Sequence, residues 1–271
     1  MKYIKTYNKI FESISTLNYS YNNLTELPEL SNTLEELYCY KNNLLKLPKL
    51  PQNLIKLSCA YNKLTELPKL PDTLKLLYCY NNNLTELSKL SESIEILDCN
   101  NNQLTELPNL PNTLTYLDCS DNKLTELHYL PDSLKILYSY SNKLTELPDL
   151  PKTLEIIDCS YNKLTELQEL PGTLKEFHCY NNNLTELPEL PSKLINLDCH
   201  YNKLTELPKL PETLKVLICS YNKLTELPEL PESLIYLNCS NNNLPYDDLD
   251  EYKKWYAKTY PERIEAKKYN L

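Results

Sequence analysis

Residues 217–231 read LICSYNKLTELPELP, and varied forms of this stretch recur every 20 residues along most of the chain. Aligned in register, the copies give twelve repeats that begin at Ile14, Leu34 and so on to Leu234. We number the positions of each repeat 1 to 20 from that first residue. Position 9 is Asn and position 11 is Leu in all twelve repeats, and position 6 is Cys in ten of them. Such strict self-similarity predicts a solenoid in which each repeat forms one turn.

The repeat also predicts which side chains face inward. Positions 3 to 7 suit a short strand, so successive repeats should stack into a parallel sheet with strands about 4.8 Å apart. Apolar side chains at positions 1, 4, 6, 11, 14 and 17 would then fill a shared core that no repeat can bury alone. On the other side of the turn, L-P-x-L-P blocks a helix and favours an extended, polyproline-like path.

The pattern L-x-x-L-x-C-x-x-N-x-L resembles a leucine-rich repeat, and the 20-residue length with L-P-x-L-P is typical of the short bacterial type. It is similar to the repeat domains of YopM-type and IpaH-type bacterial effectors and to the leucine-rich repeat arrays of giant viruses. The resemblance covers residues 14–244. It implies a mainly β solenoid with a concave parallel sheet, an extended convex side and short helical caps. Repeats of this kind serve many partners, so the resemblance identifies no single function.

Two polar positions inside the repeat have structural interpretations. A buried Asn at position 9 can bond backbone groups of its own and the next repeat, which would otherwise cost about 1–3 kcal/mol each. Cys at position 6 would act as a small apolar filler. Neighbouring cysteines fall within disulfide range, but their parallel side chains oppose bridging. C-x-x-C pairs typical of metal sites are missing from the sequence. We therefore expect reduced core cysteines and a reducing compartment.

The composition excludes several classes of function. With Gly172 as the one glycine, the 271-residue chain lacks a Gly-rich phosphate-binding loop. A formal charge of −9, spread along the chain, argues against nucleic acid as a partner. The apolar runs fall short of the roughly 20 residues that a membrane span needs, and the N-terminus does not read as a secretory signal. These features predict a soluble cytoplasmic protein without membrane or nucleic-acid partners.

Both ends of the array depart from the repeat and are predicted to form caps. Residues 1–13 suggest an amphipathic N-terminal cap, followed by the solenoid over 14–244. In the C-terminal cap, 245–271, helical spacing predicts a helix near 247–259, a break before Pro261 and a second short helix. Trp255 is predicted to cover the core of the last repeat.

The variable positions 3, 5, 7 and 8 lie on the concave sheet, where repeat proteins bind their partners. Three repeats carry Tyr at both position 5 and position 7, and tyrosine is enriched at protein interfaces. The alternative is that tyrosine simply suits exposed strands. The candidate partner-binding residues are Tyr38, Tyr40, Tyr78, Tyr80, Asp98, Asp118, Tyr138, Tyr140, Asp158, His178, Tyr180, Asp198 and His200.

One group among these candidates is chemically distinct. His178 is expected between Asp158 and Asp198 on adjacent strands, with His200 two residues beyond Asp198. Two His and one Asp can ligate a metal ion, but a solvated charge ladder is the simpler interpretation. No nucleophile or oxyanion donor is positioned nearby. We expect no metal, no cofactor and no enzymatic activity.

The predicted function is a non-enzymatic scaffold, favoured as a monomer, that binds a protein or peptide on its Tyr- and Asp-rich concave sheet. The alternative is a host-directed effector related to the recognition domain of leucine-rich repeat ubiquitin ligases. Those ligases carry a C-terminal catalytic domain with a reactive Cys. Because no Cys follows Cys239, this chain is not expected to ligate. In that alternative the protein would act in the cytoplasm of a host cell.

Overall fold

The computed structural model describes residues 15–262. The predicted N-terminal cap, 1–13, lies outside this range, as does all but the start of the second C-terminal helix, Pro261 and Glu262, so the division into caps and solenoid stays a prediction. The described chain falls into two compact bodies. The N-terminal body reaches Leu144 and includes Pro148–Leu154, and the C-terminal body comprises Thr145–Leu147 and the residues from Glu155 onward.

The N-terminal body is a parallel sheet with one strand from each repeat. Consecutive strands pair in a register offset of one repeat, so that Leu37 lies opposite Leu57 and Leu57 opposite Leu77. Position 4 therefore stacks on position 4 along the sheet. The strands are β1 Thr16–Asn18, β2 Glu36–Tyr38, β3 Lys56–Ser58, β4 Leu76–Tyr78, β5 Ile96–Asp98, β6 Tyr116–Asp118 and β7 Ile136–Tyr138.

The C-terminal body repeats this arrangement and ends in a helix. Its strands pair in the same parallel register, with Leu197 opposite Phe177 and Leu217. The elements are β8 Ile156–Asp158, β9 Glu176–His178, β10 Asn196–Asp198, β11 Val216–Ile218, β12 Tyr236–Asn238 and helix α1 Leu249–Thr259. Both bodies thus confirm the predicted parallel β solenoid of 20-residue turns. No helix among residues 15–262 is long and apolar enough to span a bilayer.

The strands cover positions 3 to 5 and are shorter than the predicted positions 3 to 7. Backbone hydrogen bonds between repeats nevertheless continue beyond them: the N–H of Cys39 donates to the carbonyl of Ser58 at 2.8 Å, and that of Lys41 to Ala60 at 3.0 Å. Regular pairing ends there because position 8 has a positive φ, between 49° and 60° in all twelve repeats. Seven of these residues are neither Asn nor Asp, the types that tolerate this conformation best.

Core packing follows the predicted pattern and adds one position. Leu54, Leu57, Cys59 and Leu64, at positions 1, 4, 6 and 11, are 0% exposed. Position 18, which the sequence argument left out of the core, is also buried in most repeats, as at Pro51. The Pro51 carbonyl accepts the N–H of Leu54 at 3.2 Å, which closes a tight turn into the next strand. This proline therefore has two roles: it closes the turn and it fills part of the core.

The Asn of position 9 joins each repeat to the one before it. Asn82 is 7% exposed, and its side-chain amide donates to the carbonyls of Cys59 and Cys79 at 3.1 and 3.0 Å. Its Oδ1 accepts the N–H of Leu64 at 3.0 Å. The expected bonds to the next repeat were wrong in direction, since Cys59 and Leu64 belong to the preceding repeat. The side chain turns back because position 9 follows the left-handed residue at position 8.

All ten cysteines are buried free thiols, which confirms their predicted place in the core. Burial raises the pKa of the Cys39 thiol to about 12. At Cys239, in the last repeat, burial also raises the pKa to about 12. The thiol is therefore the dominant form at neutral pH, and the cysteines serve as apolar filler.

Helix α1 begins two residues later than the sequence predicted. Asp248 caps it by accepting the N–H of Glu251 at 2.9 Å, and the Glu251 carboxylate accepts the N–H of Asp247 at 2.9 Å. Trp255, predicted to cover the last repeat, is not itself the buried residue but packs over another one. Tyr246, 4% exposed, is the buried residue, and Trp255 packs on it with ring centroids 5.0 Å apart. Tyr246 is buried because the chain packs against the last repeat at this point, where the backbone carbonyl of Asp247 accepts the N–H of Cys239 at 2.9 Å.

Candidate functional site

The predicted site residues lie on one face of the strands, which we call the sheet face and define by positions 3, 5, 7 and 8. They are half-buried, except for Asp118, which is 8% exposed. Neighbouring strands lie close enough for each side chain to cover the next one. Most of the exposed aromatic side chains of the sheet face are instead at position 8, where Tyr21 is 63% exposed and Tyr161 49%; Tyr236, at position 3, is 50% exposed.

Four of the candidates in the N-terminal body form a depression that we call the tyrosine slot. Tyr38 and Tyr40 make one wall, and Tyr78 and Tyr80, two strands away, make the other. Strand β3 between them carries only Ser58 on the floor at position 5. The depression has a volume of about 330 Å³ and is lined by Asn18, Tyr38, Tyr40, Lys56, Ser58, Tyr78 and Tyr80.

Position 8 tyrosines brace the walls of this slot. The ring of Tyr21 meets Tyr40 edge to face at 5.2 Å, and Tyr61 meets Tyr80 in the same way at 5.4 Å. Aromatic pairs of this geometry contribute about 0.5–1.5 kcal/mol beyond the area that they bury. Each contact joins position 8 of one repeat to position 7 of the next, so the slot is fixed by adjacent repeats.

One lysine lines the tyrosine slot, and a second lies among the tyrosines that brace its walls. The Lys56 ammonium lies between two wall rings, 4.9 Å from the centroid of Tyr38 and 5.7 Å from that of Tyr78. The Lys41 ammonium lies between the rings of Tyr21 and Tyr61, at 5.0 and 5.3 Å. A hydrogen bond with Tyr38 raises the pKa of Lys56, which keeps it charged. Cation–π contact with tyrosine stabilises such charges.

Beyond the slot, Asp98 and Asp118 form what we call the aspartate pair. They are opposite each other on β5 and β6, and the side-chain amide of Asn100 donates to both, at 2.7 and 3.1 Å. Burial, reinforced by the charge of Asp118, raises the pKa of Asp98 to about 7. Burial also raises the pKa of Asp118, whose carboxylate accepts the Ser120 hydroxyl. Near neutral pH the pair therefore holds a proton for part of the time.

The other tyrosine pair of this body, Tyr138 and Tyr140, follows the aspartate pair. Tyr138 pairs in register with Asp118, and its ring meets Tyr116 at 5.9 Å, edge to face. Burial, together with the charges of Asp118 and Asp98, raises the pKa of Tyr116. Tyr116 at position 3 is thus part of the same surface, although the sequence argument did not select it.

In the C-terminal body the candidates contribute to a continuous aromatic row. His200 stacks on Tyr180 with centroids 4.4 Å apart and planes 12° apart, and it meets Tyr201 at 5.3 Å. Tyr201 in turn stacks on Tyr221 at 4.1 Å. The row is Tyr161, Tyr180, His200, Tyr201 and Tyr221.

The expected His178 cluster is not assembled as one group. His178 is in register with Asp158 and Asp198, but its Nε2 lies 3.9 Å from the carboxylate of Glu176. Asp198 instead contacts His200, with Oδ1 and Nδ1 2.5 Å apart. The two histidines thus have different acidic partners. Among residues 15–262, no three His, Cys, Asp or Glu side chains are arranged to hold a metal ion.

Lys41, Lys56 and the position 8 tyrosines were not among the predicted site residues. Position 8 was counted among the variable positions of the sheet, but none of its tyrosines was selected. The missing signal is conformational: Tyr21, Tyr61 and Tyr161 are left-handed residues, and their rings contact the position 7 tyrosine of the next repeat. Lys41 and Lys56 could have been found by reading positions 3 and 8 for charge across adjacent repeats, where tyrosines flank both lysines.

Known structures with the same solenoid include two of YopM. The chain is 40% identical to the leucine-rich effector protein YopM from Yersinia pestis, with a TM-score of 0.80 over 84% of this chain and 66% of that one. It is 37% identical to YopM from Yersinia enterocolitica WA-314, with a TM-score of 0.69 over 82% of this chain and 53% of that one. This chain thus spans between half and two thirds of those proteins.

A third similar structure is the functional domain of InlJ from Listeria monocytogenes, which includes a cysteine ladder. It is 27% identical, with a TM-score of 0.58 over 86% of this chain and 64% of that domain. No protein-family model matches the chain, and neither does any curated protein sequence. The fold and the repeat type therefore rest on the structural matches and on the repeat itself.

Proposed function

Because this chain is a leucine-rich repeat protein of the short 20-residue type, we propose that it is a non-enzymatic scaffold that binds a partner protein or peptide on its sheet face. The observation that carries the proposal is the tyrosine slot, whose walls are braced by neighbouring repeats. Rigid tyrosines lose little conformational entropy on binding and offer both apolar area and a polar tip.

The chemistry of the other reactive groups supports binding over catalysis. The cysteines are buried, and burial raises the pKa of Cys39 to about 12, so this thiol is a poor nucleophile. The carboxylates of the aspartate pair are engaged by Asn100 and Ser120. Exposed aromatic rings, in contrast, are spread over both bodies.

Paired affinity capture under reducing conditions tests the proposal. The bait is the full chain beside a variant with Tyr38, Tyr40, Tyr78, Tyr80, Tyr138 and Tyr140 changed to Ser. A control variant changes exposed position 12 residues to Ser, namely Thr65, Thr85, Thr105, Thr125 and Thr145. Circular dichroism establishes that all three fold.

We expect one or more proteins to be retained by the parent and by the threonine control and lost by the tyrosine variant. Proteins recovered equally by all three baits would contradict binding at these tyrosines. A monomer in analytical ultracentrifugation would agree with a free sheet face, whereas self-association lost in the tyrosine variant would make a second copy the partner.

A second candidate is a host-directed effector that works in the cytoplasm of a host cell. The 40% identity to a leucine-rich effector protein over 84% of this chain favours it. The buried free thiols suit a reducing compartment. The same capture, run on source-cell and host-cell lysates in parallel, should then find the tyrosine-dependent partner in the host lysate. A partner found only in the source cell would exclude this role.

A further inference from the structure

We propose that the tyrosine slot recognises an acidic side chain on an extended segment of the partner, seated between its walls against Lys56. This rests on the proposed function, because it names the chemistry of the partner bound at that same sheet face. The slot is the depression of about 330 Å³ between Tyr38 and Tyr40 on one side and Tyr78 and Tyr80 on the other.

The dimensions of the slot suit a single inserted side chain. Its walls are carried by strands two apart, so their backbones are separated by about 10 Å. The repeat between them has Ser58 and Ala60 at the two positions that carry tyrosine in the walls, and Ala60 is 0% exposed. Small residues beneath tall walls leave room for a ligand group flanked by rings on both sides.

The positive charge of the lysines at the slot favours an anionic ligand group. Among residues 15–262, no carboxylate lies within 4 Å of the Lys56 or Lys41 ammonium, and each is held between two tyrosine rings. Glu36 lies in register with Lys56 and its negative charge acts on that ammonium, but its carboxylate accepts the Tyr38 hydroxyl at 3.0 Å and forms no ion pair with Lys56. A ligand carboxylate would therefore gain an ion pair with Lys56 in a partly desolvated site.

The neighbouring aspartate pair limits where further acidic groups can lie. Asp98 is on β5, two strands beyond the β3 floor of the slot. An extended chain in the polyproline II conformation rises about 3.1 Å per residue with three residues per turn, so three residues cover most of those two spacings, about 10 Å, and return the side chain to the same side. An acidic residue three positions from the one in the slot would face Asp98 and Asp118, so like charges disfavour it. The recognised segment is thus acidic at one position and neutral or basic three residues away.

Short labelled peptides test this with the full chain in reducing buffer. Three nine-residue peptides, each with proline in the spacer to prevent a helix, carry Glu-x-x-Lys, Gln-x-x-Lys or Glu-x-x-Glu, and each is made in both sequence orders. Fluorescence anisotropy gives the Kd. The variants are Lys56→Met and Asp98→Asn, with Lys63→Met and Asp72→Asn as controls, because Lys63 and Asp72 are exposed outside the sheet face.

We expect Glu-x-x-Lys to bind about tenfold tighter than Gln-x-x-Lys, a difference of about 1.4 kcal/mol. Lys56→Met should abolish that difference, and Lys63→Met should keep it. Asp98→Asn should reduce the preference for Glu-x-x-Lys over Glu-x-x-Glu, and Asp72→Asn should leave it unchanged.

Equal binding of the Glu and Gln peptides, or a preference that survives Lys56→Met, would overturn the inference. Absence of binding by all the peptides, while the tyrosine variant still loses a captured protein, would also overturn it but leave the proposed scaffold function intact. If the tyrosine variant captures what the parent captures, the scaffold function itself fails at this surface.

Discussion

Asn82 and Tyr80 lie two residues apart in one repeat, yet position 9 is Asn in all twelve repeats whereas position 7 varies among Tyr, Ser, Ala, Asn and His. Asn82 bonds the backbone of its own and the preceding repeat. Tyr80 contacts a side chain, Tyr61, at 5.4 Å. The same backbone groups are present in every repeat, so the side chain that forms hydrogen bonds with them must also be the same in every repeat. A position whose side chain meets another side chain, as Tyr80 does, is free to change.

This contrast suggests that stability depends on the row of buried position 9 asparagines, which we call the ladder, and that recognition depends on the sheet face. Each repeat contacts mainly its neighbours, so the loss of one asparagine weakens the interface between its own repeat and the preceding one. A change on the face removes one side-chain contact and leaves the backbone bonds intact. Substitutions at the two kinds of position should therefore differ in size and in what they affect.

The largest effect is expected from removing one ladder Asn in mid-array. Asn102 is 4% exposed, and its amide donates to the carbonyls of Cys79, Cys99 and Asn100 at 3.0–3.1 Å. Its Oδ1 accepts the N–H of Leu84 at 3.0 Å. Asn102→Leu leaves several buried backbone groups unpaired, so we expect a loss of about 3–4 kcal/mol in the free energy of unfolding. Urea denaturation measures it.

The matched control is Gln103→Leu, one residue further on at an exposed position. It should change the free energy of unfolding by less than about 0.5 kcal/mol. A similar loss in both variants would mean that the effect comes from adding leucine and not from breaking the ladder. Neither substitution should alter the peptide preference of the tyrosine slot in protein that remains folded.

An intermediate effect, dependent on pH, is expected at the aspartate pair. Burial and the charge of Asp118 raise the pKa of Asp98 from 3.8 to about 7. Tyr80 and Tyr116 also face this carboxylate, and Asn100 donates to it. The folded state therefore holds a proton that the unfolded state releases between about pH 4 and 7, so the stabilising contribution present at low pH is lost as pH rises to 7.

Asp98→Asn keeps the shape of the side chain and removes its charge. At pH 8 the variant should be more stable than the parent by about 1–2 kcal/mol, and at pH 4 the two should be nearly equal. Thermal unfolding across pH 4–8 measures the difference, with the exposed Asp72→Asn as the control. A constant gap between the parent and Asp98→Asn at every pH would show that the carboxylate does not titrate in this range.

The interior could be predicted from the sequence almost residue by residue. The period alone predicted the burial of Leu57 and Cys59, because their partners are the same residues one repeat away. The direction of the Asn bonds could not be predicted, since it depends on the left-handed residue at position 8, and neither could the burial of Pro51, which depends on the turn into the next strand. A repeat pattern predicts which positions are equivalent, but it does not predict the direction in which the backbone turns after a strand.

The sheet face was predictable only as a set of residues. Tyr38 and Tyr78 were found from their positions, but their contact through Lys56 depends on how far a lysine side chain reaches across the sheet. For His178 the error is the opposite one, because contacts were predicted that do not form. Its neighbours in register are Asp158 and Asp198, yet Glu176 on its own strand has its carboxylate 3.9 Å from the His178 ring. The strand register determines which backbone positions are neighbours, whereas side-chain rotamers determine which side chains are in contact.

The smallest effect is expected at position 8, where the interior and the face meet. Ser141 has a φ of 52°, a conformation that costs an L-residue about 1–2 kcal/mol relative to glycine. Glycine also makes the unfolded chain more flexible, which opposes part of that gain. Ser141→Gly should therefore raise the free energy of unfolding by about 0.5–1 kcal/mol. Urea denaturation with replicate curves can resolve this.

Asn181→Gly provides the comparison, because asparagine tolerates the left-handed conformation that Asn181 adopts, with a φ of 55°. This second variant should be neutral or slightly destabilising. If both glycine variants stabilise the protein equally, relief of backbone strain at serine is not the cause. If neither does, neighbouring repeats hold position 8 so firmly that residue type matters little there, and the variability of the sheet face extends to the left-handed turn itself.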